Sequence, residues 1–347
     1  MRLLFFTPGF AADEDDSTCI PPLQLLVREL LRKGADIHIV ALEYPFRAEP
    51  YRWHSATVYP CNGQNRGWLK MRTIWRAMTR AHEVLSEEKT DFVHSFWLGM
   101  AADVADSMAE KFQVPHFTTL MGQDATAANT SYLKKLAPDD APMLIALSQF
   151  HNEAFAKNTG FAAGHVIPWG MPDAEIPASL PTGRPVDVLG VGSFLEVKNW
   201  ERWLRVVQLA AAEKPDLNAV LVGEGPLFKE ILLSAKAKGL GDVVSFTGGL
   251  PRPMVLAKMQ EARTLLHTSN FESFGFVLVE ALANGCRVLA TPVGIAPELP
   301  EIFTSDDDPT LAQALLERLQ QPAPNAPAAP LTMRDCGWKY WGLYHSI

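Results

Sequence analysis

Phe271-Glu272-Ser273-Phe274-Gly275-Phe276 runs directly into Val277-Leu278-Val279-Glu280-Ala281-Leu282-Ala283-Asn284-Gly285. The stretch reads as a loop that becomes a helix near Gly275, with a near-continuous apolar run between two carboxylates. Glu272 and Glu280 are eight residues apart, which on a helix is a rise of about 12 Å. They cannot share one proton or one metal ion, but they can hold opposite ends of an extended ligand. Between them, the free N–H groups near Gly275 would present the positive end of a helix dipole. Hydroxyls at both ends and an anion in the middle describe a nucleotide diphosphate sugar. A plainer reading stands beside this one. Phe274, Phe276, Leu278, Val279 and Leu282 would then be the buried face of a core helix, with Glu272 a first-turn acid and Glu280 solvated.

Strand-like runs alternate with helical patterns outward from this stretch to both ends of the chain. That alternation argues an α/β fold with parallel sheets. Strands are expected at Leu3–Thr7, Asp36–Leu42, Asp91–Ser95, His116–Leu120, Met143–Leu147 and His165–Ile167, with a helix over Leu23–Lys33 stopped by Gly34. A second series follows at 186–192, Ala219–Val222, Val243–Thr247, Thr264–Thr268 and Arg287–Ala290. Between the two series the chain is rich in Pro, Gly and Ala, which places a linker at 171–185. The expected organisation is two Rossmann-like, doubly wound domains, 1–170 and 186–320, facing a cleft. Residues 321–347 would be a Pro-rich tether and an aromatic helix (Trp338, Tyr340, Trp341, Tyr344) that packs back on the first domain or meets another chain.

A chain of 347 residues is long for one core, and 48% hydrophobic with 20% charged residues is the composition of a globular protein. No apolar stretch approaches a membrane span. Met1–Phe6 is cut short by Thr7-Pro8-Gly9 and reads as a buried strand, not a signal peptide. Cys19, Cys61, Cys286 and Cys336 have no metal-type spacing, which fits free thiols in a reducing, cytoplasmic compartment. A net charge of -8 gives no support for nucleic acid as a partner.

Four loops follow strands in the second half. Gly192-Ser193-Phe194-Leu195-Glu196-Val197-Lys198 lets the backbone approach a ligand at Gly192 and brings a point charge at Lys198. Gly223-Glu224-Gly225-Pro226 is a Gly-x-Gly turn, by itself a weak signal. Phe246-Thr247-Gly248-Gly249-Leu250 offers main-chain groups to a planar base, and the fourth loop carries Glu272. No Gly-x-Gly-x-x-Gly follows the first strand and no P-loop occurs, which argues against nicotinamide or P-loop chemistry. With neither His-x-x-x-His nor Cys-x-x-Cys, a tightly held metal is not expected.

In this order the loops resemble the retaining glycosyltransferases of the GT-B fold, family 4 (group 1). The resemblance rests on Glu272 and Glu280 within Ser269-Asn270-Phe271-Glu272-Ser273-Phe274-Gly275 and on Asn284–Thr291 with Gly294. It extends to Val191-Gly192-Ser193 with Lys198-Asn199, and to Leu221–Pro226. Before residue 186 it is looser, through Asp91–His94, Met121–Asp124, Ala146–Ser148 and Val166–Gly170. It implies that Glu272 contacts the donor sugar, that Glu280 holds the ribose diol, and that the N–H groups of Phe274, Gly275 and Phe276 meet the sugar and diphosphate. Lys198, with Ser193 on the same loop, would serve the departing diphosphate. Leu250 would flank the base and Gly9 approach the phosphates from the first domain. Asp124 and His94 would stand on the acceptor or sugar side, although for His94 a hydrogen-bonded structural role is the plainer reading. No metal or other cofactor is obligatory on this resemblance; the donor is itself the nucleotide-bearing substrate. The acceptor would be a hydroxyl of a glycan, a lipid-linked molecule or a small molecule.

Three departures from the family stand out. Met121 occupies a place where a His is common, Ser193 replaces a positive residue, and the first loop carries Asp13-Glu14-Asp15-Asp16 in place of a double Gly. Four acids beside a diphosphate would repel it, so this run is expected to face the acceptor or solvent. Arg66, Lys70, Arg72, Arg76 and Arg80, interleaved with Trp68, Leu69, Met71, Ile74, Trp75 and Met78, form a basic amphipathic pattern. It suits peripheral contact with an anionic membrane at the inner face or with an anionic lipid-linked acceptor; the pattern alone favours a core helix with a solvated basic face. Two alternatives to transfer remain at this level. One is a nucleotide-sugar epimerase or hydrolase on the same frame; the other is a catalytically silent sugar-nucleotide-binding subunit, for which Met121 and Ser193 would be the marks.

Overall fold

In a computed structural model of the chain, which describes residues 1–346, two compact units are distinct: Met1–Trp169 completed by the chain from Met333, and Gly170–Thr332. The first holds β1 (Arg2–Gly9), β2 (Asp36–Tyr44), β3 (Tyr51–Trp53), β4 (Ala56–Pro60), β5 (Phe92–Phe96), β6 (His116–Thr119), β7 (Leu144–Ala146) and β8 (His165–Val166). They form one sheet in the order β3-β4-β2-β1-β5-β6-β7-β8. Every neighbouring pair is parallel except β3 with β4. Leu3, Leu4, Phe5 and Phe6 of β1 are fully buried, as a central parallel strand covered on both faces requires.

The second unit holds β9 (Val186–Val191), β10 (Ala219–Val222), β11 (Val244–Gly248), β12 (Ala262–His267), β13 (Arg287–Ala290) and β14 (Ile302–Thr304). All are parallel, in the order β11-β10-β9-β12-β13-β14. Val188, Leu221, Leu266 and Leu289 pack with Trp203, Leu204 and Val207 of the helix Trp200–Glu213, and with Leu311 and Leu315 of the helix Asp308–Gln320. Strand order reverses between β9 and β12. The loops leaving their carboxyl ends diverge there, and in open α/β sheets that is where a ligand crevice forms.

The expected 171–185 linker is corrected by the structure, because this segment is knit into the second unit. Arg184 donates to the carbonyls of Ala262 (2.6 Å) and Asn284 (3.0 Å), and Met171 bridges to Thr332. The expected tether is also part of that unit: the Ala328 N–H donates to Leu282 (3.1 Å) and Arg263 donates to the Gln321 carbonyl (3.1 Å). Pro-rich composition excluded helix here but not packing. The aromatic tail forms the helix Met333–Tyr344 of the first unit. Among the described residues no helix is long and apolar enough to cross a membrane.

Candidate active site

Glycines let the loops at the reversal of the second sheet approach one another. After β9, Gly192 has φ 154°, and a Cβ on Gly223 would lie 1.8 Å from the Gly192 carbonyl oxygen. A Cβ on Gly225 would stand 2.8 Å from the Phe194 nitrogen, whose N–H donates to the Glu224 carbonyl (2.8 Å). The Gly-x-Gly motif is thus a close-approach device and not only a turn. The β9 loop then closes on Asn199, in the left-handed region at φ 48°, whose side chain caps the helix Trp200–Glu213 by accepting from the Arg202 N–H (3.2 Å).

Bonds between the β9 and β12 loops put Lys198 against Glu272. The Asn270 N–H donates to the Val197 carbonyl (2.8 Å), Asn199 donates to Asn270 Oδ1 (2.9 Å), and Thr268 Oγ1 donates to the Asn199 carbonyl (3.1 Å). Lys198 Nζ then lies 2.5 Å from Glu272 Oε1. Ser269 Oγ donates to the same oxygen at 2.8 Å, and His267 Nε2 at 3.1 Å. All three donors converge on Oε1, and Oε2 takes none of them. Burial pushes the Glu272 carboxyl upward, but the Lys198 charge and the His267 bond outweigh it and hold the group well below the usual carboxylate range.

Gly275, at φ 84°, opens the helix Phe276–Ala283, and no side chain caps that end. A third loop packs beneath it. A Cβ on Gly294 would lie 2.4 Å from the Phe274 carbonyl oxygen, to which the Ile295 N–H donates at 2.8 Å. Glu280 is buried, not solvated. Its Oε1 accepts from Arg252 Nε at 2.8 Å, and Arg252 Nη1 pairs with Glu175 at 2.5 Å. Burial raises the Glu280 carboxyl and Arg252 only partly offsets it. Arg252 Nη2 is buried with no hydrogen-bond partner among the described residues. The guanidinium lies 5.8 Å from the Phe276 ring centroid, and Leu250 precedes it by two residues. Ser193 is exposed; its carbonyl accepts from Trp200 Nε1 at 3.0 Å.

In the first unit, two of the named residues are buried among protein partners. His94 is fully buried, with Nδ1 2.5 Å from the Tyr344 hydroxyl and Nε2 2.8 Å from Thr119 Oγ1. Burial lowers its pKa, so it is a neutral core residue. Asp124 is also buried, and its carboxylate accepts from the N–H groups of Leu98 (2.9 Å), Met121 (3.0 Å) and Gly122 (2.6 Å). It ties two loops together. Gly9 gives room to Cys19 and Tyr44, since a Cβ there would stand 2.9 Å from Cys19 Sγ. In the acidic run, Asp13, Glu14 and Asp15 are exposed and Asp16 accepts from the Ala12 N–H and the Tyr44 hydroxyl, both at 2.9 Å.

Sequence reasoning missed His267, Ser269, Arg252 and Glu175. His267 ends β12 five residues before Glu272, and a polar residue closing an apolar strand was the available signal. Nothing in the sequence joins Arg252 to Glu280. Among the described residues no group of three or more His, Cys, Asp or Glu side chains is placed to hold a metal ion.

The family model described as Glycosyl transferases group 1 matches residues 173–305, and that described as Glycosyltransferase Family 4 matches 23–175. An uncharacterized glycosyltransferase of Methanocaldococcus jannaschii is 26% identical over 215 residues, 61% of this chain and 58% of that protein. The 2-deoxystreptamine N-acetyl-D-glucosaminyltransferase of Streptomyces fradiae is 31% identical over 138 residues, 38% of this chain and 32% of that one. The matches thus span only about a third to somewhat over half of these relatives. The solved structure of Anabaena HepE in complex with UDP and glucose superposes with a TM-score of 0.68 at 18% identity, covering all of both chains.

Proposed function

Since the chain belongs to the group 1 glycosyltransferases of family 4 type, with the GT-B fold of two Rossmann-like units, we propose that it moves a hexose from a nucleotide diphosphate sugar to an acceptor hydroxyl, with retention at the anomeric carbon. The observation that carries this reading is the one-sided anchoring of Glu272. Three donors fix Oε1, and Lys198 and His267 hold the carboxyl well below its usual range, so Oε2 is the acceptor offered to a sugar hydroxyl. Within the helix Phe276–Ala283, Arg252 orients Glu280 for the ribose diol, and the buried Arg252 Nη2 is a donor for a ligand oxygen to answer.

As the bond to the departing diphosphate breaks, negative charge grows on its oxygens. Lys198 Nζ and the uncapped N–H groups at Gly275 and Phe276 are the positive groups to meet it, a preorganised electrostatic stabilisation. Lys198 then moves from sole service to Glu272 toward a shared position between carboxylate and phosphate. No side chain acts as a strong base on this reading, because the leaving diphosphate takes the acceptor proton, and no metal is required. HepE was solved with UDP and glucose, which supports a donor of that class. The acceptor remains a hydroxyl of a glycan, lipid-linked or small molecule, and the site of action the cytoplasm.

A thermal-shift screen of UDP-, GDP-, ADP- and dTDP-sugars identifies the donor, since a bound ligand raises the melting temperature by mass action. With that donor, Glu272→Gln is expected to lower kcat by roughly a hundredfold or more while nucleotide affinity changes little. Transfer that survives this change overturns the sugar contact. Proton NMR of the new anomeric centre tests retention.

A further inference from the structure

The helix Lys70–Glu87, with the turn Gly67–Leu69 ahead of it, keeps its small residues inward and its large apolar residues outward. Leu69, Thr73, Ala77, Ala81, Val84 and Leu85 are buried. Trp68 is 76% exposed, Met71 76%, Trp75 66% and Met78 40%. Their spacing of three, four and three residues sets them on one outward stripe. A soluble helix face ordinarily has the reverse arrangement, and a contiguous exposed patch of this kind marks a surface that meets something apolar.

Charge says what that something is. From Arg66 to Arg80 the chain has five basic residues and no acid, although its overall charge is -8. Arg80 is answered by Glu83 at 2.9 Å. Arg66, Lys70, Arg72 and Arg76 have no acidic partner among the described residues. Arg72 and Arg76 donate to the carbonyls of Asn62 and Cys61, each at 3.2 Å, which holds their heads along one flank of the stripe. Beyond Arg80 the helix turns acidic with Glu83 and Glu87, so the basic-aromatic surface is confined to its first half.

We infer that this face rests on an anionic lipid surface, with Trp68, Met71, Trp75 and Met78 in the interfacial layer and the basic heads among the lipid phosphates. A second copy of the chain fits worse, because a two-fold contact would set the same cations against each other. The face belongs to the first unit, whereas Lys198 and Glu272 belong to the second, and its binding needs no sugar donor.

The test is co-sedimentation of the full chain with vesicles of phosphatidylcholine alone or mixed with phosphatidylglycerol. Binding is expected only with phosphatidylglycerol, released by added salt, and accompanied by a blue shift of tryptophan emission. Trp68→Ala with Trp75→Ala is expected to abolish the shift without changing the melting temperature. Arg66→Gln and Lys70→Gln are each expected to weaken binding roughly fivefold, from about 1 kcal/mol per basic residue near such a surface. The control pair Lys229→Gln and Lys236→Gln, exposed in the second unit, should leave binding unchanged. Absence of binding to phosphatidylglycerol, equal loss in the control pair, or a dimer in solution that Trp75→Ala dissociates would overturn the inference.

Discussion

Glu272 shows how one buried carboxylate is kept ionised. Burial alone would favour its neutral form, so the Lys198 ammonium and the His267 bond must win the contest. A carboxyl lowered in this way contributes stability that is present above its unfolded pKa and is lost as pH falls through and below the ordinary carboxylate range. Glu272→Gln is therefore expected to cost about 1–3 kcal/mol near neutral pH, with the difference from wild type shrinking as pH falls. Urea unfolding from about pH 7 to about pH 3 measures it. Lys198→Met should shift proton uptake by Glu272 to higher pH, because burial then meets less opposition. His94 makes a contrasting prediction. Tyr344→Phe removes the partner of its Nδ1 and should cost about 1–2 kcal/mol in stability, with nucleotide affinity unchanged by titration calorimetry. The loop placement of Glu272 and Lys198 and the helix placement of Glu280 were legible because they follow from local chain geometry beside Gly275 and Gly192; the pairing of Lys198 with Glu272 was not. His267 and Ser269 were not, since the folding of two loops, and no fixed spacing, brings them to Oε1. For His94 the sequence left two readings, of which the structural one was the plainer, because a strand end reads the same whether a ligand or a returning helix lies above it; its partners here are Tyr344 and Thr119.

The glycine loops and the helices differ in how openly they declare themselves. Gly223 sits at φ 148° with the Gly192 carbonyl in the space a Cβ would take. Gly223→Ala must therefore open the contact between the β9 and β10 loops, at an expected cost of about 2–3 kcal/mol and with weaker donor binding. Thermal melts with and without the nucleotide sugar separate the two effects. The strands β9 to β13 of the second sheet were legible as apolar runs closed by Gly or polar residues. β3, β4 and β14 were not. They have three, five and three residues, too few for a period to show. The helix Lys70–Glu87 teaches a different lesson. Its sequence carries two apolar stripes, one of Thr73, Ala77 and Ala81 and one of Trp and Met, and periodicity cannot say which faces inward. Packing decides it: the neighbouring helix Met100–Phe112 brings Ala101, Val104, Ala105 and Met108 into the same cluster as Ala77, Ala81, Val84 and Leu85, and the Trp and Met stripe is left outside it.

Across the whole molecule, length and alternating patterns announced two α/β units, but their limits were set by packing. Segments 171–185 and 321–332 looked like connectors by composition and are structural parts of the second unit. The first unit is discontinuous, closed by the helix Met333–Tyr344. That helix meets the helix Pro21–Arg32 closely: a Cβ on Gly337 would lie 2.4 Å from Glu29 Cγ, and Lys33 Nζ stands 3.3 Å from the Trp338 ring centroid. Ending the chain at Thr332 should raise hydrogen exchange in β1, β5 and β6 while leaving β9, β10 and β12 protected. Equal loosening of both sheets would contradict the division. The order of residues along the chain adds something about time. A nascent polypeptide emerging from the ribosome has its second unit complete at Thr332 before Tyr340 and Tyr344 have been synthesised. Until they arrive, the Thr119 hydroxyl and the imidazole of His94 lack their tyrosine partners, and the apolar surface around Phe92 and Phe117 that later receives Tyr344 stands open. The half that is translated first is thus the half whose core is closed last, by tyrosines that come at the far end of its discontinuous fold.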